Sequence, residues 1–517
     1  MAHEANKMGY WSSGVLDCWV FRIPLLHYSN TPVRASLKRL RNLRALGILR
    51  GEIALVVALA AALWLSGCLV GPDYQRPPVE IPPQFRAAMT SDATASIAEL
   101  KWFDVYKDEH LQELIRVALV QNYDLRDAIA RVDAARANLG ITRSSQFPNF
   151  GAGAEVASQE LSRQGQFTIQ PGTNPQRTFG TVFLNLFTFE IDIWGRLRRA
   201  TESAQAQLLA SDWNRKEVIR TLISDVATAY FNLLELDLEL AIARDTLGTR
   251  QESLRLLRTQ LQGGVGTLLD VRQGEQLVFG AAQTIPDNER QIEQTENEIS
   301  LLLGKSPGPV ARGTLITEQQ TPPEVPAGLT SALLERRPDI QAAEQILIAA
   351  NANIGVAKAA YFPTITLTGE FGFQSTALSS LFSGSRRIWS FVPQITQPIF
   401  TAGRVPSQVE FAEAQQRSAL AQYEKAIQSA FRDVSDALIQ YQKIREILAQ
   451  RDSLVKALQD RKRLAYMRFR GGVDTMLNAL NSDQDLFVAE LSLAQARRDE
   501  LLSLVQVYKA LGGGWQD

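Results

Sequence analysis

Cysteine and histidine are scarce in this sequence, whose 517 residues include only 2 cysteines and 3 histidines. His110 is the one histidine beyond residue 67. Without a cluster of cysteine and histidine, the usual zinc and copper sites have no support, and a histidine-based catalytic triad would depend on that single residue. We therefore expect no metal, no cofactor and no catalysis.

Net charge is also nearly absent, at −1, and no block of basic residues interrupts the chain. The charged surface that a nucleic-acid-binding protein needs is therefore missing, and we expect no nucleic-acid partner. A content of 45% hydrophobic and 21% charged residues is that of an ordinary folded protein. Carboxylate pairs such as Asp433 and Asp436 leave a hydrolase as an alternative, although a spacing of three on a helix more often marks a solvated face.

One apolar run stands out, at residues 53–65, behind a stretch rich in lysine and arginine. It is shorter than the roughly 20 residues of a membrane helix and is typical of the core of a signal peptide. The run ends in Leu65-Ser66-Gly67-Cys68, which resembles a bacterial lipobox. We predict a signal segment at residues 1–67 and a lipid anchor at Cys68; the alternative is a buried cysteine at the end of an anchor helix.

Two consequences follow from cleavage before Cys68. The mature chain keeps no second cysteine, which excludes an intramolecular disulfide. Leu69, rather than aspartate, follows the anchor, so we expect the lipid in the inner leaflet of the outer membrane. A signal that begins at Met1 would be unusually long, which leaves the true translation start open.

The rest of the chain is one unit used twice. "NYDLRDAIARVDAARANLGITRSSQFPNF" from Asn122 matches "RPDIQAAEQILIAANANIGVAKAAYFPTI" from Arg337 at an offset of 215 positions. Gly263-Gly264-Val265 matches Gly471-Gly472-Val473 at an offset of 208. We assign a lipidated extended segment to residues 68–100, a first repeat to 101–304, a proline-rich connector to 305–336 and a second repeat to 337–517.

Each repeat contains a very long helix. Residues 196–262 keep the three-and-four spacing of a coiled-coil seam, with polar Asp237 where an apolar residue is due. Residues 404–470 form the partner, with Pro406 tolerated in the first turn. At 1.5 Å per residue each helix is about 100 Å long. Shorter helices at residues 122–146 and 266–303 can stack end to end against the long one, and Pro286 predicts a kink or break in the second of them.

The glycine pairs 263–264 and 471–472 follow the long helices, and we expect them to cap these helices in the left-handed region and turn the chain at one far tip. Residues 364–374, "TITLTGEFGFQ", alternate instead with a period of two. Their length suits a transmembrane β-strand with one lipid-facing side. A soluble hairpin packed on helices would alternate in the same way.

The aromatic-rich segments "SFVPQITQPIF", which follows in the second repeat, and "TVFLNLFTFEIDIW" in the first repeat indicate a β-hairpin in each repeat. Two hairpins give four strands, too few to close a barrel. A dimer would close a barrel filled by side chains, whereas three copies bring 12 strands together around an open lumen. The sequence thus favours a homotrimer, with a tetramer as the alternative.

The motifs together resemble the TolC-like outer-membrane efflux factors, in particular their lipoprotein branch, sometimes called NodT-type. They are Cys68 followed by "VGPDYQRP", "NYDL", "RRPDI", "YFPTI", "QPIFTAGR", "RGGVDT" and "YKALGGGW". The resemblance covers the chain from about Cys68 to Trp515.

The resemblance implies a mainly α fold with a β-barrel part. Long antiparallel coiled-coil helices would form a trimeric α-barrel in the periplasm, continuous with a 12-stranded transmembrane β-barrel in the outer membrane of a Gram-negative bacterium. It further implies a passive conduit that exports substrates from a periplasmic membrane-fusion adaptor and an inner-membrane pump of the resistance-nodulation-division type. A type I protein-secretion channel and, with less support, a coiled-coil scaffold lipoprotein are alternatives. The exported substrates cannot be read from the sequence.

The tips are the expected docking sites for the adaptor. The residues that we assign to docking are Gly263, Gly264, Val265, Gly266, Thr267, Gly471, Gly472, Val473 and Thr475. The alternative is that Thr267 and Thr475 only cap the returning helices.

The two tips differ at one matched position, which is Gly266 in the first and Asp474 in the second. If the second tip faces the trimer axis, three Asp474 carboxylates converge there, and their repulsion must be offset by hydrogen bonds, cations or protonation. We predict that Asp474 forms the periplasmic gate. The alternative is a helix N-cap.

Overall fold

The computed structural model describes residues 69–86, 96–162, 170, 172, 174–320, 328 and 330–516. The predicted signal segment and Cys68 lie outside these residues. The strap, residues 69–86, contains neither helix nor strand.

The first repeat opens with a short helix, Trp102–Val105, and continues through four longer helices and two strands. These are α1 (Glu109–Gln121), α2 (Tyr123–Ser144), β1 (Phe150–Glu160), β2 (Gln176–Glu190), α3 (Arg196–Gln262) and α4 (Leu268–Leu302).

The connector ends in a short helix, Ala332–Arg336, and the second repeat has the same order of elements as the first apart from a counterpart of α1. It consists of α5 (Pro338–Ala359), β3 (Thr364–Ser375), β4 (Arg387–Thr396), α6 (Arg404–Arg470) and α7 (Met476–Ala510).

The long helices α3 and α6 confirm the predicted bounds at both ends, with 67 residues each. The predicted seam of α3 is buried, since Val226, Tyr230 and Leu233 have no exposed surface. Asp237, which interrupts the seam, pairs with Arg312 of the connector, whose Nε lies 2.9 Å from its carboxylate. The polar residue therefore fixes the connector to the helix.

A kink or break was predicted at Pro286; the break is wrong, because α4 continues through this residue from Leu268 to Leu302. Proline removes one backbone hydrogen bond, but Pro286 lies on an exposed face of α4. Water can reach the freed carbonyl there, which limits the cost of keeping the helix intact. Within the described residues, no helix is long and apolar enough to span a membrane.

The four strands form one antiparallel sheet in the order β1-β2-β3-β4. The pairing of β2 with β3 joins the two repeats and contains an irregularity between Leu186 and Phe189. Strands β1 and β4 are the edges of the sheet.

The helices pack into two antiparallel hairpins, α3 with α4 and α6 with α7. Helix α5 packs on both α3 and α6, and α7 packs on α3 as well as α6. The main apolar core lies where these helices meet, around the buried rings of Tyr230, Tyr423 and Tyr508. Each long helix begins shortly after a strand and ends at a glycine pair. The sheet and the tips therefore lie at opposite ends of the long helices.

The strap contacts both repeats. Tyr74 donates a hydrogen bond to Glu344 at 3.0 Å, and Arg76 donates to both carboxylate oxygens of the same residue. Asp73 accepts from Arg199 at 2.6 Å. These contacts tie the strap to α3 and α5.

Candidate functional site at the helix tips

The first tip turns through a Schellman motif. Gly264 takes a φ of +76°, in the left-handed region that favours glycine. The N–H of Val265 donates to the carbonyl of Gln260 at 3.0 Å, and that of Gly264 donates to Leu261 at 3.1 Å. The last carbonyls of α3 are thereby satisfied.

The second tip repeats this backbone. Gly472 has a φ of +74°, and its N–H donates to Phe469 while that of Val473 donates to Arg468. The predicted left-handed caps are confirmed for Gly264 and Gly472. The preceding glycines, Gly263 and Gly471, instead keep right-handed geometry as the C-cap residues of α3 and α6.

The returning helices start differently at the two tips. Thr267 caps α4 in a capping box: its hydroxyl accepts the Asp270 N–H at 3.2 Å, and Asp270 accepts the Thr267 N–H at 3.1 Å. Thr475 is the N-cap residue of α7, but its side chain makes no capping hydrogen bond. The prediction of a helix cap is thus confirmed for Thr267. Thr475 occupies the N-cap position but does not cap the helix with its side chain.

Asp474 lies one residue before the cap position of α7, so the interpretation of Asp474 itself as the N-cap is wrong. Its carboxylate accepts hydrogen bonds from the Thr475 N–H at 2.8 Å, the Asn478 amide at 2.6 Å and the Arg468 Nε at 3.0 Å. These donors, with Asn478 first, lower the pKa of Asp474. The carboxylate is therefore ionised and held in one position.

Apolar side chains are exposed at both tips. Val265 is 83% exposed and Val473 66% exposed, and Leu268 and Leu269 are exposed beside the first tip. Just behind them, the two hairpins share a small buried cluster: Leu254, Leu257, Val271, Val278, Met476, Ala479 and Leu480. The exposed side chains of Val265, Leu268, Leu269 and Val473 thus form an apolar end surface, and the buried cluster packs behind it.

A buried ion pair lies behind this cluster and joins all four long helices. Arg250 of α3 donates to Asp483 of α7 at 2.8 Å, and these side chains are only 2% and 1% exposed. Arg250 also donates to the Leu277 carbonyl of α4, and Lys462 of α6 lies 2.6 Å from Asp483. The guanidinium lies 4.8 Å from the centre of the Phe487 ring.

This pair was not predicted from the sequence, although the spacing of its residues contained a signal. Arg250 falls between Leu247 and Leu254 on the seam of α3, and Asp483 falls between Leu480 and Leu486 on that of α7. A charged residue at an apolar position of a helical seam indicates either a break or a buried partner.

The carboxylates Asp433 and Asp436 line a cavity of about 570 Å³. Arg337 lies 3.3 Å from Asp433, and Arg432 lies 2.6 Å from it. The Asp433 carboxylate therefore forms ion pairs with two guanidinium groups. Among the described residues, no group of three or more histidine, cysteine, aspartate or glutamate side chains could hold a metal.

At the other end of the molecule, the sheet has two chemically distinct faces. Phe371 of β3 pairs with Leu184 of β2 and Trp389 of β4, which gives a continuous apolar row across three strands. The neighbouring residue of β3, Glu370, pairs with Asn185 of β2 and Ser390 of β4. These three polar side chains lie on the opposite face of the sheet. Trp389 is 73% exposed, so the apolar face is uncovered in the single chain.

A four-stranded sheet with an uncovered apolar face, joined to helices about 100 Å long, defines an outer-membrane channel with a helical duct. The sequence profile of the outer membrane efflux protein family matches residues 114–305 and 329–513. The chain belongs to this family, and its fold is that of the outer-membrane efflux channels.

Individual relatives agree over nearly the whole length. The chain is 38% identical over 469 residues to the probable efflux pump outer membrane protein TtgC of Pseudomonas putida, covering 90% of this chain and 96% of the relative. It is 33% identical over 464 residues to the cation efflux system protein CusC of Escherichia coli, covering 89% and 99%. The open state of the Neisseria gonorrhoeae MtrE outer membrane channel superimposes with a TM-score of 0.79 at 33% identity, covering 87% and 99%.

Proposed function

We propose that this chain forms a homotrimeric conduit in the outer membrane, which receives substrates from a periplasmic adaptor and an inner-membrane pump of the resistance-nodulation-division type. The observation that carries the proposal is the apolar row through Leu184, Phe371 and Trp389, at the far end of the helices from the tips. Lipid covers this row, and three sheets close one barrel of 12 strands. The repeats 101–304 and 337–517 form the wall, and the connector 305–336 joins them.

Efflux in cells tests this function. A strain without its own outer-membrane efflux channels receives this chain together with an adaptor and a pump of the resistance-nodulation-division type, and retention of a fluorescent dye is measured. We expect retention to fall severalfold relative to the strain without the chain. Unchanged retention, with the chain present in the outer-membrane fraction, would contradict the proposal.

The adaptor docks on the apolar end surface of the tips. Val265 and Val473 are exposed at matched positions, and burying them against a partner is favourable at roughly 25 cal/mol per Å². The capping hydrogen bonds of Thr267 hold the returning helix without a partner, so capping and docking coexist at this tip.

Charge substitution tests the docking surface. Val265→Glu combined with Val473→Glu should abolish crosslinking to the adaptor and raise dye retention while leaving the trimer intact. Leu315→Glu is the matched control, because Leu315 is a 62% exposed leucine of the connector, away from the tips. Normal crosslinking of the double variant would count against docking. We prefer this design to Gly266→Leu, since a Cβ at Gly266 would lie 3.0 Å from the Leu261 nitrogen.

The second tip faces the trimer axis and forms the gate. Three Asp474 carboxylates surround the axis there, each already ionised and held by Arg468, Thr475 and Asn478. The ring attracts cations, and it widens when an adaptor separates the tips. The three Arg468 guanidinium groups reduce the repulsion within the ring.

Lipid on Cys68 anchors the conduit beside its barrel. Support comes from the lipobox and from Leu69, which lies against Gly195 at the start of α3. Metabolic labelling with a palmitate analogue should label the wild type and leave Cys68→Ala unlabelled. Equal labelling of the two proteins would refute the anchor.

A further inference from the structure

A groove of about 660 Å³ lies near the sheet end of the long helices, where α3, α5 and α6 meet. Most of its lining comes from one stripe of α5, which extends from Ile346 to Ala360, and from the first turns of α6. Gln207 lines it from α3. Small-molecule sites usually have volumes of about 300–1,000 Å³. The groove is therefore large enough for a molecule of drug size.

The lining of the groove is mainly apolar, and none of the described residues that form it is charged. Ala349 and Ala412 are buried, whereas the larger side chains of Ile346 and Phe411 are 43% and 65% exposed. Amides can donate and accept hydrogen bonds without carrying a charge. The groove therefore suits an uncharged ligand with an aromatic or aliphatic body. The amide side chains in its lining are Gln207, Asn353, Gln408 and Gln415.

The groove and the strap lie on opposite faces of α5. Tyr74 of the strap donates to Glu344 at 3.0 Å. The carbonyl of Pro72 accepts from the Asn351 amide at 2.9 Å. Asn353, in the groove, follows Asn351 by two residues, which is a rotation of about 200° around a helix with 3.6 residues per turn. The strap begins at the proposed lipid anchor, outside the channel, so the groove faces the inside of the duct.

The first repeat does not have this apolar lining. Helices α2 and α5 both have 22 residues, and α3 and α6 both have 67, so the repeats can be compared position by position. The counterpart of Ile346 is Arg131, which pairs with Asp127 at 2.7 Å. The counterpart of Phe411 is Ser203. The duplicated fold therefore accepts polar residues at these positions, and the apolar groove is a property of the second repeat.

We propose that this groove is a transit site for uncharged aromatic or amphipathic molecules that pass through the duct. The apolar part of such a molecule lies against Ile346 and Phe411, and the amide of Asn353 binds its polar end. Membrane lipid and the strap do not reach the groove, because both lie on the outer side of the wall. The inference rests on the proposed conduit and adds that its wall binds cargo.

Protection of an introduced cysteine tests the site in the full mature protein, reconstituted into lipid nanodiscs. Asn353→Cys places a thiol in the groove, and Asn138→Cys places one at the matched position of α2. Both asparagines are exposed, and the proposed lipid on Cys68 leaves the introduced cysteine as the only free thiol. The probe is N-phenylnaphthylamine, an uncharged aromatic molecule, and the rate of modification by a water-soluble maleimide is measured. We expect the probe to slow modification of Asn353→Cys severalfold and to leave that of Asn138→Cys unchanged.

Two controls define the chemistry of the site. Anilinonaphthalene sulfonate has the same rings with an added negative charge, and it should protect Asn353→Cys much less, since none of the described lining residues is a cation. Addition of Ile346→Gln and Phe411→Ser to Asn353→Cys should abolish protection by the uncharged probe. The serine is the residue that the first repeat has at this position. Continued reaction with maleimide in the absence of probe shows that the thiol is still accessible.

Three results would overturn the inference. Equal protection of Asn353→Cys and Asn138→Cys would show that the probe partitions without a site. Protection that survives Ile346→Gln and Phe411→Ser would show that the apolar side chains do not bind it. A thiol of Asn353→Cys that never reacts, while that of Asn138→Cys does, would show that another copy of the chain covers the groove.

Dye retention in cells that carry the wild-type chain separates this inference from the proposed function. Protection without efflux would support the transit site and contradict the conduit. Efflux without protection would contradict the transit site alone.

Discussion

The first tip has glycine at position 266, followed by a capping box between Thr267 and Asp270. At the second tip, the matching position is Asp474, whose carboxylate joins the end of α6 to the start of α7 through Arg468 and Asn478. The backbones of the two turns are alike. The same turn in the two repeats is therefore followed by a capping box at the first tip and carries a fixed carboxylate, Asp474, at the second.

Removing a charge at the second tip should have the largest effect, on block of the channel by cations. In planar bilayers, we expect trivalent cations to bind the proposed Asp474 ring and block the wild-type channel. Asp474→Asn should remove most of this block, because the amide keeps the acceptor oxygen but loses the charge. Arg468→Ala should strengthen the block, since it removes a competing cation 3.0 Å away. An Asp474→Asn channel that blocks like the wild type would exclude the carboxylate ring as the gate.

The buried ion pair behind both tips should have the next largest effect, on the stability of the protein. Asp483→Ala leaves Arg250 buried without its partner, which costs about 3–5 kcal/mol. The measurement is the thermal unfolding midpoint of the detergent-solubilised protein. Asp485→Ala is the control, because its pair with Arg461 is half exposed and exposed pairs contribute about 0–1 kcal/mol. Equal losses in the two variants would show that the buried pair has no special role.

A pH-dependent difference should distinguish α3 from α6. Burial, with Glu239 adding to it, raises the pKa of Glu235 from 4.5 to about 8. The counterpart on α6 is Lys443. Arg498 lies 3.4 Å from Glu235 but also pairs with Asp499.

The folded state therefore holds a proton that the unfolded chain has released between pH 4.5 and 8. Since the unfolded state binds fewer protons in this window, stability falls as the pH rises through it and levels off above pH 8. Glu235→Gln should remove this loss, so its unfolding midpoint should exceed that of the wild type increasingly from pH 5 to 8. A constant difference across this range would contradict the shifted pKa.

The smallest effect concerns the caps. Thr267→Ala should cost about 0.5–2 kcal/mol of stability, whereas Thr475→Ala should cost less because its hydroxyl makes no capping bond. Thermal unfolding of both variants measures the difference. Asp270→Ala should match Thr267→Ala, since the two residues cap each other. Equal costs at Thr267 and Thr475 would remove this distinction between the tips.

Features that depend on local spacing could be predicted from the sequence. The bounds of α3 and α6, the left-handed Gly264 and Gly472, and strand β3 all follow from periodicity and turn chemistry. Pro286 was misjudged because the cost of an interior proline depends on whether water reaches the freed carbonyl, which is a property of the packed structure.

The missed contacts of the site join residues that are distant in sequence or separated by a turn. Arg250 and Asp483 are 233 positions apart, and no local pattern states that their helices face each other. Arg468 reaches Asp474 only because the Schellman turn folds the chain back between them. Predicting either contact requires the packing of the hairpins, which the duplication indicates only in outline.

The strap has a consequence for the order in which the molecule folds. With the proposed cleavage before Cys68, the strap is the first part of the chain to be exported, yet the partner of Tyr74, Glu344, lies 270 positions further along the chain. Closing so distant a contact is entropically costly and slow. Pro72, Pro77 and Pro78 keep the waiting segment extended and cannot continue a helix or strand. The strap can therefore complete its contacts only after α5, the first helix of the second repeat, has followed it.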